Sequence, residues 1–99
     1  MKLPHDLFLG FVKIHILHHA GREPVYGLWL IEELGRHGYR LSPGTLYPIL
    51  HALEQEGLLA CEVKVVEGKA RKYYRLTGTG RTALRAGKKK ARELMEEIE

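Results

Sequence analysis

The 99-residue chain carries 16 Lys and Arg against 12 Asp and Glu, a formal net charge of +4, and its length suits one domain with one modest core. One Ser (Ser42), one Asp (Asp6) and no Asn leave a hydrolase triad or a paired-Asp metal site almost without its usual parts, so no enzyme is expected. No apolar run approaches the ~20 residues of a membrane span, the opening Met-Lys-Leu-Pro-His-Asp does not resemble a signal peptide, and the single Cys61 favours a reducing, cytoplasmic setting.

In chain order, Asp6 suits the cap of a helix over residues 7–20, closed by Gly21 with Pro24 beyond. Leu7, Phe8, Leu9, Phe11, Val12, Ile14, Ile16 and Leu17 cover nearly its whole circumference. A helix apolar all round is buried on more than one side, which in so small a chain predicts a partner subunit. His15, His18 and His19 stand at i, i+3 and i+4, a spacing that can place two imidazoles on one metal. Most of that helix is apolar and no Cys lies near them in sequence, so they are read as polar positions at a helix end or dimer seam, with no metal or cofactor expected.

A second helix is predicted over residues 26–37, stopping at Gly38, and a short link leads to a third that begins at Ser42. Ser42 can cap the free N–H groups, Pro43 suits the first helical position and Gly57 the C′ position. Leu46, Ile49, Leu50 and Leu53 share one face, while Thr45, Tyr47, Pro48 and His51 point elsewhere. Pro48 presses on the carbonyl of Gly44, which has no side chain to resist the adjustment. A solitary surface helix would carry Lys and Glu there. This face is built to lie against something, and the tight turn before it makes a helix-turn-helix.

After Gly57 the period becomes two. Leu59, Cys61, Val63 and Val65 alternate as in a half-buried strand, Glu67-Gly68-Lys69-Ala70 is a turn, and residues 71–76 return as a second strand. Cys61 falls on the inner face, where packing is favoured over redox chemistry. A hairpin directly after a helix-turn-helix is a wing.

Thr77 then caps a last helix of about 20 residues, roughly 30 Å long. Leu84, Ala91 and Ile98 recur every seven residues with Leu94 between the last two, a seam for a second helix. Basic residues near its start and Glu93, Glu96, Glu97 and Glu99 at its end oppose the macrodipole, and pairs such as Lys89–Glu93 are in the weaker orientation. Compensation from phosphates or a partner subunit is expected, and Gly87 is read as a close helix crossing. Eleven of the 16 basic residues lie between Lys64 and Arg92, with Glu67 the only acid among them. Such a local excess is the footprint of a phosphate-binding surface. Gly78-Thr-Gly-Arg-Thr-Ala83 matches a dinucleotide fingerprint in form alone, since no parallel strand can follow a helix that ends the chain.

Pro24-Val-Tyr-Gly27, Leu41-Ser-Pro-Gly-Thr-Leu-Tyr-Pro48, Leu53-Glu-Gln-Glu-Gly-Leu58 and Arg71-Lys-Tyr-Tyr-Arg-Leu-Thr77 followed by Gly80 together resemble the PadR family of transcriptional regulators. The resemblance spans residues 8–85. It implies a homodimeric winged helix-turn-helix repressor of the small branch, mainly α with a β-hairpin, an N-terminal helix and a long C-terminal dimerisation helix. Residues 1–78 would form the DNA-binding domain and residues 79–99 the dimerisation helix. By the same resemblance Ser42, Gly44, Thr45, Tyr47 and Pro48 would face the major groove of double-stranded DNA; from the residues themselves, Thr45, Tyr47 and His51 are the candidates for apolar or single hydrogen-bond contacts there. Lys69, Arg71, Lys72 and Tyr73 would meet phosphates or the neighbouring minor groove.

The third helix has no Arg, Asn or Gln before Gln55, so it lacks the side chains that read G or A bidentately. Specificity would then rest partly on DNA shape and dimer spacing. Dimer contacts are expected from Phe8 and Phe11 on the first helix and from Leu84, Ala91, Leu94 and Ile98 on the last. Trp29 stands where the family usually has a polar or smaller aromatic residue. With Phe8 and Phe11 it could line a pocket between subunits for a small hydrophobic or aromatic effector, although core packing accounts for the same residues.

Overall fold

The computed structural model describes residues 3–98; Met1, Lys2 and Glu99, the last belonging to the acidic run noted above, lie outside the described residues. Seven elements follow in order: α1 (His5–Arg22), β1 (Val25–Tyr26), α2 (Gly27–Arg36), α3 (Pro43–Gln55), β2 (Leu59–Val66), β3 (Lys69–Leu76) and α4 (Gly78–Ile98). The mainly helical chain with one hairpin is as expected, while β1 is an addition.

Helix α1 starts ahead of its expected cap. Pro4, not Asp6, holds the N-cap position, and its carbonyl accepts the Phe8 N–H at 2.9 Å. Asp6 therefore falls inside the first turn, where its charge suits the helix dipole. At the other end α1 runs through Gly21, which does not adopt a positive φ. The missing side chain of Gly21 makes room for Leu76 instead, whose Cδ2 would lie 2.8 Å from a Cβ placed there.

Helices α2 and α3 both end in the two-bond motif that a left-handed glycine permits. At α2, Gly38 (φ 87°) lets the Tyr39 and Gly38 N–H groups reach the carbonyls of Leu34 and Gly35 at 2.9 and 3.0 Å. At α3, Gly57 (φ 78°) does the same for Leu58 onto Leu53 and Gly57 onto Glu54, at 3.0 and 2.9 Å. The α2 start is later than expected, because Tyr26 is extended and is used in β1. Ser42 caps α3 as the sequence implies, its Oγ accepting the Thr45 N–H at 3.3 Å.

The sheet order is β1-β3-β2, antiparallel throughout. Register runs from Leu59 opposite Leu76 to Val66 opposite Lys69. The turn is tighter than the four residues expected. Glu67 and Gly68 (φ 53° and 78°) are the two left-handed residues that match the strand twist, so Lys69 and Ala70 belong to β3. The expected half-buried alternation also fails beyond Cys61. Leu59 is buried, but Val63 and Val65 are 58% and 73% exposed, since the outer hairpin projects past every other element. Its base is anchored by Tyr74, which pairs with both Val25 and Cys61. Burial, and next the Cys61 thiol, push the Tyr74 phenol up to about 12.

The core gathers Val12 and Ile16 of α1, Leu30 and Leu34 of α2, Leu46 and Leu50 of α3 and Leu59 of β2, all essentially inaccessible. Each is an apolar residue on the inward stripe of its element, so burial follows the period of the sequence. Helix α4 docks only by its first turns. The Thr77 hydroxyl donates to the carbonyls of Gly57 and Leu58 at 2.6 and 3.1 Å and accepts the Gly80 N–H at 2.9 Å. Gly80 is buried beneath this cap, and a Cβ on it would collide with the Leu58 carbonyl oxygen. Leu84 packs half-buried on the core, and from Arg85 to Ile98 every residue is exposed. Gly87 does not mark a crossing within the chain, because a Cβ there would have nothing within 4 Å. The acidic end pairs through Lys90, not Lys89, with Nζ 3.6 Å from Glu93.

Candidate nucleic-acid interface

The buried stripe of α3, Leu46, Ile49, Leu50 and Leu53, fixes the direction of the remaining face. Ser42, Gly44, Thr45, Tyr47, Pro48 and His51 are consequently all exposed on one side of the molecule. They form a surface with no formal charge, since His51 is the only ionisable group among them apart from the Tyr47 phenol. Ser42 is engaged by its own helix, its Oγ lying 3.3 Å from both Thr45 N and Thr45 Oγ1. Thr45 and His51 remain as short polar groups, and His51 Nε2 lies 3.4 Å from Gln55 Nε2. Gln55 is thereby drawn alongside this exposed face.

Tyr47 is held more firmly than the sequence implies. Its ring lies across Gly27, where a Cβ would collide with the phenol. Glycine at the first position of α2 is thus needed for the α2–α3 packing, and the ring remains partly exposed. Beside it is a shallow depression lined by Tyr26, Leu28, Tyr47, Arg71 and Lys72. That depression joins α3 to Arg71 and Lys72 of the wing. The period of the sequence does not assign Tyr26 to this place, because a two-residue strand is too short to show one, and Leu28 comes from the first turn of α2.

On the wing, Lys69 and Lys72 are exposed while Arg71 and Tyr73 are half-buried. The Arg71 guanidinium sits 4.7 Å from the Tyr26 ring centre, and Tyr26 meets Tyr73 edge-on at 5.4 Å. Lys64, opposite Arg71 in the hairpin, places its ammonium 5.4 Å from the Tyr73 ring. Aromatic faces hold both cations by their π-electron charge without neutralising them. The result is a cationic ridge with restricted side chains next to a polar, uncharged helix face. Of the expected interface residues, those on α3 and those on the wing are brought to one continuous surface by the Tyr26–Tyr47 junction.

The candidate dimer residues divide in the same way. Phe8 packs on the core, edge-on to Tyr39 at 5.7 Å, while Phe11 is exposed, as are Leu7 and Ile14 of the same helix. On α4, Leu84 is half-buried and Ala91, Leu94 and Ile98 are exposed. Between the two helices runs a shallow apolar groove lined by Ile14, Leu17, Leu84, Gly87 and Ala91. Trp29 is half-buried and stands edge-on to His19 at 5.4 Å. Since His19 is about 16 Å along α1 from Phe8, Trp29 and Phe8 do not share a pocket within one chain.

Relatives agree with this architecture. The transcriptional regulator PadR-like family matches residues 16–86, more than half of the chain. This chain belongs to the PadR-like family. The transcriptional regulator Rv3488 of Mycobacterium tuberculosis is 55% identical over 87 residues, covering 88% of this chain and 81% of its own. A PadR family regulator from Eggerthella lenta is 36% identical, with a TM-score of 0.82 over 94% of this chain and 82% of that one. A PadR-like regulator from Bacillus cereus is 29% identical, with a TM-score of 0.84 over 94% and 92%. PadR-like proteins are transcriptional regulators and not enzymes. Among the described residues no helix is long and apolar enough to cross a membrane.

Proposed function

We propose that this PadR-like regulator is a cytoplasmic homodimer that binds double-stranded DNA sequence-specifically and represses transcription. The observation that carries the reading is the continuity of the charge-free α3 face with the cationic wing. An α-helix fits the major groove, and the exposed α3 side offers backbone fit, the Thr45 hydroxyl, the Tyr47 edge and the His51 ring. Lys69, Arg71 and Lys72 would then supply phosphate contacts, which position the protein and carry most of the affinity. In this division of labour residues 1–78 bind DNA and residues 79–99 join the subunits. Phe11, Leu94 and Ile98 are exposed apolar side chains that a partner subunit would cover, and the groove between α1 and α4 supports pairing of these helices. Release by a small hydrophobic or aromatic effector belongs to the same reading.

The test is the salt dependence of duplex binding. Arg71→Ala with Lys72→Ala should weaken binding to operator and random duplexes alike. It should also flatten the slope of log K against log salt by ~0.9 for each phosphate no longer neutralised, about 1.8 per chain. An unchanged slope would take the wing off the DNA. No binding of the wild type to any duplex at low salt would leave a winged helix for protein contacts.

A further inference from the structure

The third and fourth turns of α1 carry His15, His18 and His19, and the fold brings His37 and Glu33 of the α2 end against them. His15, His19 and His37 each offer a ring nitrogen within 4.8 Å of the other two. His15 and His19 lie one turn apart on α1, with rings nearly parallel (19°) and 6.3 Å between centres. His37 reaches over to the His15 ring at 5.0 Å. Glu33 closes the cluster: its Oε2 is 3.2 Å from His37 Nε2 and 3.7 Å from His19 Nε2. Two imidazoles thus aim at one carboxylate oxygen from different helices.

We infer that His15, His19 and His37, with the Glu33 carboxylate as fourth ligand, form a binding site for a divalent transition metal of the Zn²⁺ type. Imidazole nitrogen selects zinc, nickel, copper or iron over magnesium and calcium, which prefer oxygen. Three histidines and one carboxylate make a tetrahedral set in which Zn–N near 2.0–2.1 Å would place the nitrogens roughly 3.3 Å apart. The present separations exceed that by no more than about 1.5 Å, within reach of the broad torsion that turns an imidazole about its Cβ–Cγ bond.

A hydrogen-bonded histidine cluster without metal would leave a specific defect. His19 Nε2 is buried and has no hydrogen-bond partner among the described residues, and a buried polar atom left unsatisfied is destabilising. A metal would satisfy it. Burial, followed by the neighbouring His37 for His15 and His18 for His19, lowers both imidazoles below the ordinary histidine range. Neutral imidazole is the form that ligates. Glu33 is held from its other oxygen by Arg36, whose Nη1 lies 3.5 Å away, which orients Oε2 inward. Access is through the depression that Glu33 and His19 share with Trp29 and Arg22, open to solvent. His18, the third histidine of the sequence motif, meets His19 edge-on and is outside the ligand set.

The site joins α1 to the first helix of the helix-turn-helix, and its occupancy is measurable without DNA. The chain contains one tryptophan, and its ring stands against His19, so binding reports itself optically. The test uses the full chain free of any histidine tag, titrated with Zn²⁺ by calorimetry and with Co²⁺ or Ni²⁺ by Trp29 fluorescence. The expected result is one ion per chain, quenching of Trp29, and no displacement by a hundredfold excess of Mg²⁺. His37→Ala and Glu33→Gln should each weaken affinity tenfold or more, while His5→Ala on the first turn of α1 leaves it unchanged. His37 is half exposed, so its variant keeps the fold even if His19→Ala does not. Absence of stoichiometric uptake by the wild type, wild-type affinity in His37→Ala and Glu33→Gln, or displacement by Mg²⁺ would each overturn the assignment.

Discussion

A single methyl group at residue 80 would have to occupy the space of the Leu58 carbonyl oxygen and crowd Leu76. Neither neighbour yields cheaply, since the carbonyl is backbone and already accepts from the Thr77 N–H at 3.1 Å. Gly80→Ala should therefore destabilise the chain by about 1–3 kcal/mol. Thermal unfolding followed by circular dichroism should show a midpoint lower by several degrees, at roughly 4–8 °C per kcal/mol for a domain of this size. An unaltered midpoint would mean that α4 can shift without loss. Gly80 shows what one residue can and cannot disclose in a sequence. Ser42, Pro43 and Gly57 announce their roles because a cap acts within a few residues of itself. The constraint on Gly80 comes from a carbonyl 22 residues earlier, and that on Gly27 from the Tyr47 ring. His37 and Glu33 were hidden for the same reason: the carboxylate missing from the neighbourhood of His15 in sequence is supplied across a helix packing.

Elements were legible in proportion to their period. The buried stripe of α3 extends over several turns and its positions hold in the structure, and the heptad spacing of α4 falls on one continuous helix. The outer hairpin has a strand's alternation yet buries little, because alternation records a half-apolar surface and not what covers it. Strand β1, at two residues, is below any periodic signal, although it carries Tyr26 to the junction of α3 and wing. Exposed Leu94 and Ile98 follow the same logic at the far end of α4. They are 55% and 66% accessible within the chain, so charges there cost the isolated fold little. Leu94→Glu with Ile98→Glu should leave the helical circular dichroism intact while light scattering falls from the mass of two chains to one. A dimer that survives both charges would move the interface away from this end of α4.

For the molecule as a whole, a two-fold dimer through α1 and α4 would present two α3 helices to the same side of a duplex. Half-sites one turn apart, about 34–36 Å, are then required, and selection from a random DNA pool should return inverted repeats at that spacing. Recovery of single half-sites, or of sequences without symmetry, would contradict the two-fold arrangement. In that arrangement the joint between α3 and α4 would decide how strictly the spacing is held. The Thr77 hydroxyl grips the carbonyls that end α3 while receiving the N–H that begins α4, and Gly80 leaves no gap beneath it. Such a joint behaves as a weld and not as a hinge. With α4 as a shaft of about 30 Å, a tilt of about 5° where the subunits cross displaces the far end by nearly 3 Å. A stroke of that size is comparable to one base-pair step. On the proposed reading, the grip on DNA would be geared to the angle between subunits, and the protein would lose its operator without any side chain on α3 changing position.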